Sequence, residues 1–344
     1  MLGIDLLMSD DLTQLLSSIG RYLERNPVPQ WRALADDIGL MGIGLSEADG
    51  GTGGGGVDRA AVAAALAVSM VSDAWLPHAV GTALLGTLMP GHALLLQLAQ
   101  GSQRIALWLG ALAPGEPPHI EISADSVRVN GTLTHVAGGA VADWLLLIDE
   151  PGIVVIELAT VRCDRRERLM FDGTMVADFD IAGPFTPAAT CIGADAASAA
   201  NWATNALLAG RCAELCALMH RMIEDTTSFL NQRKQFGRAL SGFQVLRHRV
   251  ADMAMAHMKA AALTEIAVEA ENGDGLAWTR AVAAACVEAG DAARIVGEGA
   301  VQLHGAMGLT EELSLGQIYK RTLTLAASLG RQSAHMARHA ALAA

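Results

Sequence analysis

From Ala196 to Gln232 apolar residues recur at intervals of three and four, with Leu208, Leu215, Leu218, Met219 and Met222 among them and almost no Gly or Pro between. That period predicts one long helix with an inward face. Phe243 to Ala270 repeats the pattern through Val245, Val250, Met253, Met258 and Ile266, predicting a second. The Met-rich stretch Met253, Met255 and Met258 reads as core. Between the helices lies Arg233-Lys234-Gln235-Phe236-Gly237. Gly237 is placed to stop the first helix, with Arg233 and Lys234 in its last turn against the negative end of its dipole.

Residues 1–105 read as helices joined by glycine-rich turns, the first starting at Asp10 and Asp11 ahead of Leu12, Leu15, Leu16 and Ile19. Ser46 to Gly56 is an acidic, glycine-rich run. It lacks a Lys-Ser/Thr ending and a preceding strand, so it reads as a flexible connection to a helix over 58–71, not a phosphate loop. Residues 106–185 change character. Ile120 to Ser123, Ser126 to Val129, Trp144 to Ile148 and Ile153 to Leu158 are short, β-rich runs separated by Gly, Pro, Asn and Asp. Asn130-Gly131 is a hairpin signal. The expected organisation is an N-terminal helical domain (1–105), a middle β-domain (106–185) and a C-terminal helical bundle (186–344).

Composition narrows the function classes. The 344 residues are 52% hydrophobic with a formal charge of −12 and no basic run, which argues against nucleic acid as partner. The five cysteines are scattered without metal-like spacing, so no metal site is expected; Cys212 and Cys216, one helical turn apart, read as small core residues. A sparse, odd count fits a reducing compartment. Met1 to Met8 lacks the basic start and length of a signal peptide, and apolar runs such as Ala60 to Val71 are too short to span a bilayer. The expectation is a cytoplasmic protein without membrane contact.

Arg233-x-Gln235-Phe236-Gly237, with Phe243-Gln244 and Ala251-Asp252-Met253 behind it, resembles the C-terminal helical signature of the acyl-CoA dehydrogenases. Gln302-Leu303-His304-Gly305-Ala306-Met307-Gly308, followed by Thr310-Glu311-Glu312, resembles that family's second C-terminal motif. Trp31 to Ile43 is similar to a helix end of its first domain. The resemblance implies a helical domain, a β-barrel-like middle domain and a four-helix C-terminal domain, that is, a mainly α fold with a small β-domain. It also implies α,β-dehydrogenation of an acyl-CoA thioester, with FAD as hydride acceptor and an electron-transfer flavoprotein downstream. Arg233, Gln235 and Phe236 would contact the pyrophosphate and adenosine half of FAD across a subunit interface, joined by Gln302, Gly305 and Ala306.

Three positions depart from the family. Registering the second motif and counting on places the usual catalytic Glu at Leu329, before Gly330. The alternative base position on the helix leading to Arg233 falls near Leu207, beside Thr204, Asn205 and Leu208. The flavin loop of the middle domain is replaced by Leu109 to Pro118, and the Trp and Thr that would touch the flavin by His135 and Ala137. No catalytic residue is therefore assigned. The pattern resembles the short subunit of the heterotetrameric acyl-CoA dehydrogenases of bacterial steroid side-chain degradation, whose catalytic Glu comes from a partner chain. Alternatives are a homomeric dehydrogenase with a relocated base, Glu298 or Glu214, and a non-enzymatic helical interaction protein. His304 reads as a helix-end residue, Glu311 and Glu312 as acids at a helix N-terminus, and His248 with Asp252 as a surface or interface pair.

Overall fold

The structure, a computed structural model, describes all residues except 1, 2, 5, 7, 8, 72, 73, 114–117, 123–125, 150, 151, 183, 193, 310–313, 343 and 344, and omits the side chains of 191, 192, 194 and 309. In chain order the helices and strands begin with α1 (Asp10–Arg25), α2 (Trp31–Asp36), α3 (Gly56–Val68), α4 (Trp75–Leu88) and α5 (Ala93–Ala99). Ten strands follow: β1 (Ile105–Leu109), β2 (His119–Ile122), β3 (Val127–Asn130), β4 (Thr132–Ala137), β5 (Trp144–Asp149), β6 (Gly152–Glu157), β7 (Cys163–Leu169), β8 (Met175–Ile181), β9 (Pro184–Phe185) and β10 (Ala189–Ile192). The chain ends with α6 (Ala194–Gln232), the two-residue strands β11 (Lys234–Gln235) and β12 (Arg238–Ala239), then α7 (Gln244–Glu269), α8 (Gly275–His304), α9 (Leu315–Ser328) and α10 (Gln332–Ala341). The expected mainly helical fold with a small β region is what forms.

The chain divides into two compact units, residues 10–59 with 71–207 and residues 1–9 with 60–70 and 208–344. In the first, the strands make sheets of order β1-β5-β6-β10, β2-β3-β9 and β4-β8-β7. Their inner faces share one core containing Trp108, Val127, Leu133, Leu145, Val154 and Phe179. β1 and β5 are buried at nearly every position, which explains their unbroken apolar runs. Asn130-Gly131 does not close the expected hairpin. β3 pairs with β2 and β9 while β4 pairs with β8, so the dipeptide turns a corner between two sheets, with Gly131 at φ +126° close against Pro118. The glycine-rich run 46–56 is tightly bonded: Gly44 N–H donates to Gly53 O at 2.7 Å and Thr52 N–H to Gly42 O at 3.0 Å. A Cβ on Gly51 would fall 2.2 Å from Leu45 O, so this close backbone approach admits only glycine.

In the second unit α6 packs through Leu208, Leu215, Leu218, Met219 and Met222, all fully buried. The expected helix therefore has its expected inward face. Cys212 Sγ lies 3.8 Å from Cys286 on α8, and Cys216 Sγ 3.5 Å from Thr264 on α7, so both thiols are core residues as read. Asp274 caps α8, its Oδ1 accepting from Leu276 N and Ala277 N at 2.9 and 2.8 Å. Ala283, Ala285, Ala289, Ala292 and Ala293 then let α8 approach its neighbours closely. The methionines of α7 do not all enter the core. Met253 is buried, whereas Met255 and Met258 are 56% and 67% exposed. No described helix is long and apolar enough to cross a membrane.

Candidate functional site

α6 ends one residue earlier than its last basic pair requires. Arg233 N–H makes the last helical bond, to Phe229 O at 2.9 Å, and Lys234 already lies in β11. Gly237 thus does not stop the helix. It shares the turn of a two-residue hairpin with Phe236, in which Gln235 pairs with Arg238 and Lys234 with Ala239. Both turn residues have positive φ, +51° and +79°, which matches the right-handed strand twist. Gly237 adopts this freely, while Phe236 is strained by about 1 kcal/mol or more. Phe236 is 89% exposed and meets Phe243 edge-on at 6.2 Å, with the Arg238 guanidinium 3.9 Å over the Phe243 ring.

The end of α8 comes to the same place. Its last helical residue, His304, is buried; Nδ1 donates to Ala300 O at 2.9 Å, and the ring stacks on Phe229 of α6 at 4.3 Å. His304 is thus the helix-end residue expected. Gly305 follows at φ +63°, ψ −143°, its N–H turned back on Gln302 O and Val301 O. Between the two helix ends lies a cleft of about 320 Å³. Five of the six expected cofactor residues line it: Arg233, Gln235, Gln302, Gly305 and Ala306. Phe236 is not among the lining residues, because the turn carries it out to the hairpin tip. The Phe229–His304 stack, which also lines the cleft, was not foreseen. Its signal was present in the sequence, since Phe229 precedes Arg233 by one helical turn and so shares its face.

One guanidinium, two carboxamides, a backbone stripped of side chains at Gly305 and a flat aromatic pair can bind an anionic, partly planar group. The lining includes no carboxylate. At the positions where the resemblance would put a base, Leu329 and Leu207 are buried. Glu214 is buried on α6, its Oε1 3.8 Å from Arg321 Nη2. Burial raises its pKa, opposed by Arg321 and Arg211. Arg211, pulled down to about 10 by burial, donates from Nη1 to Ser328 O at 2.7 Å. Glu298 is an exposed residue near Arg294, at 3.7 Å. Neither acid lines the cleft.

In the middle of the chain His135 sits at a bulge of β4 with φ +57°. Its N–H donates to Asp178 Oδ1 at 2.9 Å, an oxygen that also accepts from Arg168 Nη2 at 2.7 Å. Ala137 pairs with Val176. Residues 114–117 of the replaced flavin loop, and Thr310, Glu311 and Glu312, lie outside the described residues. Among the described residues no three His, Cys, Asp or Glu side chains gather as metal ligands.

Residues 198–341 match the acyl-CoA dehydrogenase C-terminal domain. The acyl-CoA dehydrogenase IpdE2 of Mycolicibacterium smegmatis is 26% identical over 94% of this chain and 96% of its own. The ChsE4-ChsE5 complex of Mycobacterium tuberculosis contains a chain of the same fold, with a TM-score of 0.85 and 19% identity over 98% of each chain. The Tcur3481-Tcur3483 steroid ACAD follows with a TM-score of 0.83 and 22% identity over 97% of this chain and 98% of that one. With its two C-terminal motifs meeting in one cleft, the chain carries an acyl-CoA dehydrogenase C-terminal domain over residues 198–341 and is similar over nearly its whole length to an acyl-CoA dehydrogenase.

Proposed function

We propose that the chain is a subunit of a heteromeric, FAD-dependent acyl-CoA dehydrogenase, supplying cross-subunit FAD contacts while a partner chain supplies the catalytic Glu. The observation that carries this reading is an asymmetry. Arg233, Gln235, Gln302 and Gly305 are gathered around one cleft, while both positions that would hold a base are buried leucines. Each of those four polar or glycine residues is exposed, so a ligand seated on a neighbouring chain could reach them. The cleft fits part of such a cofactor. At about 320 Å³ it is at the small end of ligand pockets, which run to about 1,000 Å³, and suits the pyrophosphate and adenosine half better than the whole.

When bound, FAD supplies the hydride acceptor. The Arg233 guanidinium would pair with phosphate oxygens, the Gln235 and Gln302 carboxamides would hold polar edges, and Gly305 with Ala306 would admit the backbone close to the diphosphate. The partner's carboxylate would take the α-proton of the acyl thioester. The pairing of two different chains in the ChsE4-ChsE5 and Tcur3481-Tcur3483 structures supports the heteromer, which we take to be a heterotetramer, and the likeness to a steroid ACAD supports a bulky steroid acyl-CoA as substrate. An electron-transfer flavoprotein would reoxidise the flavin.

The test is colour. This chain purified alone should be colourless or insoluble, and yellow when co-expressed with its partner, reducing an electron-acceptor dye with acyl-CoA only in the complex. A yellow, active homomer would overturn the reading in favour of a relocated base. A chain colourless with every partner would overturn it in favour of a non-enzymatic role.

A further inference from the structure

We propose that His304 sets the orientation of a nucleotide in the cleft. Its free ring nitrogen takes a neutral donor of the nucleoside, a ribose hydroxyl or the adenine amine, and so keeps the phosphates at the rim. This rests on the cofactor reading above and adds to it the residue that tells one end of the ligand from the other. The cleft is graded in depth. Arg233, Gln235, Gln302, Gly305 and Ala306 are all exposed and form its rim. His304 and Leu303, each 7% exposed, form its floor, with Phe229 half-buried beside them. The one guanidinium of the lining therefore stands at the mouth.

Two contacts fix the ring of His304. Nδ1 donates to Ala300 O at 2.9 Å, one turn back on α8, and the ring lies on Phe229 at 4.3 Å between centroids, tilted by 27°. With its one proton on Nδ1, the ring presents a lone pair at Nε2. That nitrogen has no partner among the described residues, and it is not sealed from solvent. Since the rest of the side chain is covered, its opening is the cleft that His304 lines.

A lone pair at the floor discriminates. It repels a phosphate oxygen, which has only acceptors to offer, and away from bulk water solvent does not offset that repulsion. A ribose hydroxyl or an exocyclic amine supplies the missing hydrogen instead, and leaving the buried acceptor unpaired would cost binding energy. The diphosphate, turned outward, meets the Arg233 guanidinium and the Gln235 and Gln302 carboxamides. Neither carboxamide can make the same distinction, because an exposed Gln rotates to offer oxygen or nitrogen. The ring of His304 has no such choice, since the carbonyl of Ala300 fixes its tautomer.

The test uses the complex of this chain with its partner, stripped of FAD, and reads equilibrium binding by calorimetry at about pH 8, where a histidine ring is ordinarily neutral. His304→Phe keeps a ring on Phe229 and removes the acceptor. It should weaken ADP and adenosine alike, each roughly two- to tenfold, the loss of one neutral hydrogen bond. Arg233→Ala should weaken ADP and leave adenosine unchanged. In the wild-type complex one of 2′-deoxy-ADP, 3′-deoxy-ADP and IDP, which lacks the amine, should bind more weakly than ADP by the same factor, and that analogue identifies the donor. In His304→Phe the analogue and ADP should bind alike, while His304→Gln, which keeps an acceptor, should restore part of the difference. Equal wild-type affinity for ADP and all three analogues would overturn the proposal whether or not the variants fold, as would ADP binding unchanged in His304→Phe. Weaker ADP binding in Arg233→Ala with neither His304 effect would sink this inference and leave the cofactor reading standing. ADP that fails to bind the wild-type complex would sink both.

Discussion

Gly305 holds a backbone conformation that residues with a Cβ avoid. Open space surrounds the position, so a methyl there would strain the main chain without striking a neighbour. Gly305→Ala should therefore cost about 1–3 kcal/mol and lower Tm by several degrees in a thermal melt. An unchanged Tm would mean that the turn after α8 relaxes easily and does not fix the cleft. Gly305 and Arg233 were expected together because each belongs to a motif of fixed spacing, and both line the cleft. Phe236 belongs to the same motif, yet its place at the tip depended on positive φ at two adjacent residues, which a bulky side chain does not advertise. Met255 and Met258 failed differently. A helical period shows that apolar faces exist, but where a helix is apolar on two sides it does not say which side meets its own chain.

Among the elements, α4 and β1 show how burial couples to pH. His78 on α4 is fully buried and its Nδ1 accepts from Ile105 N–H at 3.3 Å, at the start of β1. Burial holds its pKa down to about 4. The folded state therefore binds fewer protons than the unfolded chain between pH 4 and about 6.5, the ordinary histidine value. The stability this neutral ring contributes is fully present above about pH 6.5 and is lost as pH falls toward 4, by about 3 kcal/mol. Denaturant melts across that range should show the slope, and His78→Gln, which keeps an acceptor for Ile105, should flatten it. An equal slope in the variant would assign the acid sensitivity elsewhere. The long helices were legible because their apolar period runs for many turns. β7 was not, because five of its seven residues are charged. It is a strand through its neighbours: Arg166 reaches Asp180 and Arg168 reaches Asp178 on β8, each at 2.7 Å. The Asn130-Gly131 corner was misjudged since a local turn signal says nothing about which sheet the next strand joins.

For the whole molecule, the sequence announced two motifs and the absence of a base, and folding brings the two motifs to one cleft between the ends of α6 and α8. The Phe229–His304 stack was not foreseen, though Phe229 shares a helix face with Arg233, and the Arg211–Glu214–Arg321 group was hidden, since Arg321 reaches Glu214 from a helix far along the chain. The central claim is that this chain holds cofactor while another performs the proton transfer. The most direct measurement compares Arg233→Ala and Glu214→Gln in the co-purified complex, reading bound FAD and dehydrogenation together. Losing a charge-assisted hydrogen bond costs about 1.5–3 kcal/mol, so Arg233→Ala should weaken FAD binding roughly ten- to a hundredfold, with much of the rate recovered by excess FAD. Glu214→Gln should leave the rate per bound flavin unchanged. FAD content unaltered in Arg233→Ala, together with turnover abolished in Glu214→Gln, would contradict the account and place a complete active site on this chain.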